Sequence, residues 1–397
     1  MKERLIILGG GPGIFDRADQ LDADILLIDH PLKFDSQLAS KAHCTLLCDY
    51  ATDETFIEAV KAIHQKTPFD AVLCLTELGL LPAATLADAL GLQALPPSVV
   101  ARIRNKFEMR EWLAAANFPS VEAAIGTSTE CVRKFAISNG YPIILKPIDG
   151  LGSIGIVRLN EPADLEKVSL PGTDFLIEEC LSGREISVET FSFHGQHVIL
   201  ALTQKMLNHG NAGNPYVEVG HKMPADLANN EVEDVERYVA SFLDLMGITD
   251  GCAHTELIIT ERGPRIIETH NRVGGGNIPQ LVRLTTGVDL LQLSVAWPLG
   301  KCAPISRPER RQLIGAAVRF FSPEPGVVTR IVGMEKWKGT PGVVSFHFPY
   351  KVGDEIRPMV SSFDRQGFVI ATGPNAAEAE SICNTVMDGI EIHTIGQ

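Results

Sequence analysis

Residues 252–276 read CAHTELIITERGPRIIETHNRVGGG, two apolar runs joined by Glu261-Arg262-Gly263-Pro264. Short runs rich in Ile, Leu and Thr around a Gly-Pro turn predict a β-hairpin, and that hairpin brings Glu256 and Glu268 face to face. Two converging carboxylates in apolar strands are costly unless cations neutralise them, and an oxygen-rich site shared with substrate phosphates suits Mg²⁺. His270, Asn271 and Arg272 carry the second run into Val273 and three glycines. Hydrogen-bond donors thus sit just beyond the expected metal ligands, where a developing oxyanion would need them. The glutamate pair alone also fits an exposed, salt-bridged hairpin.

Upstream, residues 143–155 (IILKPIDGLGSIG) end an apolar run on Lys146 and continue into Gly150, Gly152, Ser153 and Gly155. Amides in such a loop donate without a Cβ in the way and the lysine supplies charge, so the stretch can fold over phosphates. A plain hairpin connection is the alternative. No Gly-Lys-Ser/Thr follows, which rejects a P-loop. Gly9-Gly10-Gly11-Pro12-Gly13 lacks the last glycine of a dinucleotide fingerprint, so turn and ligand contact stay open there and a nicotinamide cofactor is not expected.

The rest of the chain bounds the partners. Its 397 residues suggest two to four domains or subdomains at about 150 residues each. A 45% hydrophobic share with 21% charged residues indicates a packed globular chain rather than a disordered one. A formal charge of −14 argues against nucleic acid, whose backbone needs clustered Lys and Arg. The N-terminus lacks the long apolar core of a signal peptide and no run approaches the roughly 20 apolar residues of a membrane span, so no membrane partner and a cytoplasmic location are expected. The eight cysteines follow no metal or disulfide spacing, Cys44 and Cys48 included, and are expected as reduced thiols. His194 and His197 flank Gly195 in an expected exposed turn.

Apolar runs at 5–8, 25–28, 45–47 and 71–75, with helical patterns at 53–66 and 79–90, predict a doubly wound parallel α/β domain over 1–97. Ser98 can cap a helix running to Asn117. Residues 98–300 form the expected central domain of two α+β lobes, about 120–182 and 183–300, with antiparallel strands from 174 to 221, a helix at 229–246 and a helical segment at 278–297. A small β-rich lobe is expected over 301–397, ending in a helix at 375–388.

In order and spacing, Lys106, Lys146, the loop 150–155, Glu178-Glu179-Cys180-Leu181 with Glu185, and Glu256 and Glu268 with Asn271 and Arg272 resemble the ATP-grasp superfamily over nearly the whole chain. Residues 363–373, FDRQGFVIATG, resemble its C-terminal lobe. Val217-Glu218-Val219-Gly220-His221 with Pro224, and Arg272-Val273-Gly274-Gly275-Gly276, are most similar to its amino-acid ligase branch of dipeptide-forming and dapdiamide-type synthetases.

The resemblance implies an ATP- and Mg²⁺-dependent ligase that joins a small carboxylate to an amine through an acyl phosphate, with two metal ions and Mn²⁺ as a substitute. It implies that Lys106, Lys146, Gly152, Ser153 and Gly155 meet the ATP phosphates, with Lys205 a further phosphate contact or a solvated strand lysine. Glu178, Glu179, Cys180 and Leu181 would receive adenine largely through their backbone, and Glu185 the ribose. Glu256, Glu268 and Asn271 are the implied metal ligands, although many relatives place the metal-binding asparagine where this chain has His270. Arg272, with Lys146, is the implied catalytic group. Glu77, His221, Arg272 and Gly275 are the candidates for facing substrates, and ordering of residues 207–215 would help exclude water. Purine-pathway or carboxylase-type ligases, loading of a carrier protein, and a nucleotide-binding protein without turnover are the alternatives. A homodimer is the base-rate expectation.

Overall fold

The computed structural model describes residues 2–150, 152–170, 173–208, 214–308 and 314–396. Its first sheet is parallel, in the order Cys44–Leu47, Asp24–Asp29, Arg4–Leu8, Ala71–Leu73. Side chains alternate across a strand, so Leu5, Ile7, Ile25 and Leu27 pack on one face with Phe15 of the helix Pro12–Gln20. On the other face Ile6, Leu8, Leu26 and Ile28 pack with Phe56 and Val60 of the helix Thr55–Lys66. Burial on both faces is why these strands read as continuous apolar runs.

The helix expected from 98 to 117 is two helices, Pro97–Arg104 and Lys106–Ala115. Asn105 is extended, at φ −87° and ψ 102°, and its side chain accepts from the Phe107 and Glu108 amides. That cap starts a new helix at Lys106. The 278–297 segment likewise divides into Ile278–Thr286 and Leu290–Ala296, between Gly287 at φ +75° and the cap made by Asp289.

A four-stranded antiparallel sheet, Ala123–Gly126, Phe175–Glu179, Ile143–Pro147, Val157–Leu159, forms the small lobe around Phe135, Leu145 and Phe175. Facing it is an antiparallel sheet of eight strands: Gly263–His270, Gly251–Thr260, Arg184–Phe193, Gln196–Leu207, Glu218–Met223, Gly315–Phe320, Phe368–Gly373, Val343–His347. Its last three strands come from the C-terminal hundred residues, so the C-terminal β-rich segment shares its main sheet with residues 183–300. Only Glu355–Ile356, Gly326–Val332 and Glu391–Ile395 make a separate small sheet there among the described residues.

Candidate active site

The break at Asn105 sets Lys106 at the mouth of the cleft between the lobes, only 6% exposed, with Nζ 2.8 Å from Glu268 and 3.0 Å from the Gly150 carbonyl. One turn further on, Arg110 lies on the same helix face and donates from Nε to Glu178 at 2.9 Å and from Nη2 to the Ile267 carbonyl at 2.7 Å. Lys146, on the strand beside Glu178, reaches its other oxygen at 2.6 Å. Burial pushes the Glu178 carboxyl up, but Arg110 and Lys146 outweigh it and hold it below the usual range. The Glu178 side chain therefore clamps Lys146, a role distinct from the expected adenine hinge.

On the hairpin, Glu256 and Glu268 are paired directly across the two strands. Each has cationic neighbours. Lys205 lies 2.6 Å from Glu256, 2.6 Å from Glu185 and 2.7 Å from Glu218. His254 bridges Glu189 at 2.9 Å and Glu256 at 3.1 Å. Burial alone would lower the His254 imidazole, yet the two carboxylates raise it to about 10. For Glu268, burial is outweighed by Lys106 and His270, and the carboxyl lies well below its ordinary value.

One cavity gathers Lys106, Lys146, Gly152, Ser153 and Lys205 with Glu178, Glu179, Cys180, Leu181 and Glu185, and it ends on Glu256 and Glu268. Gly155, at φ +75°, is outside its wall. The Cys180 amide donates to the Pro142 carbonyl and the Glu179 amide to the Glu122 carbonyl, which leaves neither free for a base. The Glu179 carboxylate is engaged by Arg262 and the Glu122 amide.

The glycine-rich loop is held shut from two sides. Ser153 donates to the Tyr216 carbonyl at 2.9 Å, and Asn214 donates to the carbonyls of Ser153 and Val360. A side chain at Gly152, whose φ is +62°, would meet the Phe363 ring at 2.7 Å. Leu151, and residues 209–213 of the segment expected to order over the site, lie outside the described residues.

Glu256, Glu268 and Lys205 also wall a second chamber of about 550 Å³, which contains Glu77, His221, Arg272 and Gly275. Arg272 Nε donates to Glu77 at 2.7 Å. His270 Nδ1 lies 3.0 Å from the same carboxylate, a charge contact without hydrogen-bond alignment, and its Nε2 lies 3.4 Å from Glu268. Burial would raise Glu77, but His270 and Arg272 hold it at about 2. His221 is pushed down to about 4 by burial, against the pull of Glu218.

Asn271 is the expected ligand that the structure does not bring to the carboxylates. Strand alternation puts His270 and Arg272 in the chamber and turns Asn271 to the opposite side, where it lines a separate cavity with Cys252 and Trp297. Sequence reasoning also left out Arg110, His254, Glu189 and Arg365. The first was signalled by its i+4 spacing from Lys106, the second by its i−2 spacing from Glu256. Arg365, which pairs with Glu218 and stacks 4.1 Å over Phe320, lay within the motif 363–373 but nothing in that motif assigned it to the site.

Among the described residues no group of three or more His, Cys, Asp or Glu side chains is arranged to hold a metal alone. Two facing carboxylates with open room beside them fit Mg²⁺, which ordinarily takes one or two protein carboxylates and completes its shell with phosphates and water. The eight cysteines are free. His197 is tied to Ser192 and Asp244, and no described helix is long and apolar enough to cross a membrane.

Family models agree with this architecture. The ATP-grasp N-terminal domain matches residues 15–93, the ATP-grasp domain residues 166–280, and L-amino acid ligase C-terminal domain 2 residues 319–394. The chain thus carries two ATP-grasp domain matches followed by an L-amino acid ligase C-terminal domain match. It is 28% identical to dapdiamide A synthase of Enterobacter agglomerans, over 81% of this chain and 79% of that one. It is 26% identical to an uncharacterized protein of Sinorhizobium fredii, over 74% of this chain but 62% of the relative, so the chain spans less than two thirds of that protein. The structure of the L-amino acid ligase of Bacillus licheniformis has the same fold, with a TM-score of 0.86 at 23% identity, over 100% of this chain and 99% of the other.

Proposed function

We propose that the chain is an ATP-dependent ligase that joins a small carboxylic acid or amino acid to an amine and forms an amide or peptide bond. The observation that carries this reading is the placement of Glu256 and Glu268 on the common wall of two cavities, one lined by Lys106, Lys146 and the glycine-rich loop, the other by Arg272 and Glu77.

Lys106, Lys146 and Ser153 bind and orient the triphosphate in the first cavity. A carboxylate held in the second attacks the γ-phosphorus, the bond to the β–γ bridging oxygen breaks, and ADP leaves an acyl phosphate. Arg272 stabilises charge on the acyl oxygen when the amine attacks and phosphate departs. Glu256 and Glu268 would hold Mg²⁺, which when bound would neutralise phosphate charge. His270, rather than Asn271, is the side chain beside Glu268, and it orients that carboxylate. The closed loop around Gly152 keeps water from the acyl phosphate. Gly155 acts by shaping the loop. We assign the reaction to the cytoplasm, where free thiols persist.

The deciding assay incubates the protein with ATP, Mg²⁺ and pools of amino acids and small acids, omitting one component at a time, and measures ADP, AMP and phosphate. ADP and phosphate that require both an acid and an amine, with an amide by mass, are expected. Bicarbonate dependence, a carrier-bound product, AMP or absence of turnover would each replace this reading with carboxylation, carrier loading, adenylation or simple binding.

A further inference from the structure

Three buried polar atoms without a hydrogen-bond partner among the described residues belong to side chains lining one cavity away from the cleft: Arg110 Nη1, Ser120 Oγ and Arg265 Nε. The cavity, about 820 Å³, lies between the helix Lys106–Ala115, the strand Ala123–Gly126 and the turn that opens the strand Gly263–His270. Arg110 is 3% exposed, and its other two nitrogens already serve Glu178 and Ile267. Arg265 donates from Nη1 to the Pro264 carbonyl and has no carboxylate within ion-pair distance among the described residues. Arg262, also in the wall, is paired with Glu179, and the acidic side chains of the wall, Glu111 and Glu122, are exposed.

Buried donors are nearly always satisfied, and the groups left over here are two guanidinium N–H groups and a hydroxyl. What meets them must be an acceptor, and a guanidinium fork matches the oxygens of a tetrahedral or planar oxyanion. We propose that this cavity is a second anion site that takes a phosphate-type oxyanion, and that its occupancy is felt in the nucleotide cleft. The link is the chain Arg110–Glu178–Lys146, with contacts of 2.9 Å and 2.6 Å. An anion on Nη1 draws the guanidinium away from Glu178, Glu178 turns more fully to Lys146, and the lysine has less attraction left for a triphosphate. This coupling rests on the nucleotide reading of the cleft. The anion site itself does not.

Crystals of the full chain soaked in tungstate, a heavy phosphate analogue, test the site directly. An anomalous peak within hydrogen-bond reach of Arg110, Ser120 and Arg265 is expected, and it should fade in R265M. A peak confined to the nucleotide cleft, or one undiminished in R265M, overturns the proposal. Calorimetric titration with inorganic phosphate should show a component weakened about tenfold in R265M, the usual loss for a charged hydrogen bond; S120A, a smaller change, serves if R265M does not fold. For the coupling, the Kd for ADP with Mg²⁺ should rise about fivefold with phosphate in the native chain and much less in R265M. An equal rise in both refutes the coupling, since phosphate would then compete only in the cleft. Failure of ADP to bind at all would count against the nucleotide reading and leave the tungstate result to decide the anion site.

Discussion

In the cleft between the lobes, where we place the nucleotide, Lys146 with Glu178 and Glu256 with Glu268 stand on adjacent strands whose hydrogen-bond register sets their distances. In the neighbouring chamber, Glu77, His221, Arg272 and Arg365 come from four separate segments spread over most of the chain. Each pair of the first set is fixed by strand pairing within its own sheet, whereas the second set rests on how domains pack. A family can therefore keep one nucleotide cleft and change its substrates by altering contacts that no strand register constrains.

The hairpin glutamates belong to both regions, so breaking one should have the largest effect. Glu268→Gln keeps the side-chain shape and removes a charge, and ligation should fall at least about 100-fold, with circular dichroism unchanged. Near-normal turnover would reject the metal assignment.

Arg272→Lys addresses the chamber alone. A point charge does not replace a planar fork of donors, so kcat should drop about 100-fold, in the range seen for loss of an oxyanion donor. The Kd for ADP should stay within about twofold of the native value, measured by calorimetry. Equal damage to nucleotide binding would erase the distinction between the two regions.

His221 sharpens it further through pH. Its imidazole lies at about 4 in the folded chain against an ordinary 6.5. As pH falls below 6.5 the unfolded chain takes up a proton that the folded chain refuses, so stability is lost between about 6.5 and 4 and is unaffected above 7. The loss should be on the order of 3 kcal/mol, read by urea unfolding across that window. His221→Gln should flatten that part of the profile.

The smallest effect concerns the packing of the N-terminal domain. Arg17 meets Asp289 at 2.8 Å, joining the helix Pro12–Gln20 to the cap of Leu290–Ala296. Asp289→Asn preserves the cap and removes only a partly exposed ion pair, so unfolding free energy should change by less than about 1 kcal/mol. A loss of several kcal/mol would mean that this contact holds the chamber together.

Legibility in the sequence followed the same division. Strand periods, the hairpin turn and the glycine-rich loop are local signals, and they pointed to Lys146, Gly150 and Gly152 with Ser153, Glu256 and Glu268, while Lys106, Lys205, Glu178 and Glu185 entered through the resemblance; the structure gathers all of these in one cleft. Asn105 followed three residues later by Glu108 is itself a capping pattern, yet the apolar spacing of Val99, Ile103 and Phe107 ran through it and suggested one helix. Asn271 was assigned by resemblance to the carboxylates, although alternation along the strand after Glu268 favours His270. The contact of Arg365 with Glu218 and the shared eight-stranded sheet were illegible for another reason: both depend on pairing between segments far apart in the chain, which leaves no local trace.

That sheet also sets an order of events during synthesis. The strand Glu218–Met223 takes its outer neighbour from Gly315–Phe320. At about 5–20 residues per second a ribosome needs roughly 5 to 20 seconds to reach it. For that interval the strand has an open edge, and the wall bearing His221 cannot close. The parallel domain and the small lobe have all their strands much earlier. A nascent chain thus holds every strand of its first two sheets while the main sheet is unfinished, and that open edge is where wrong pairing can begin.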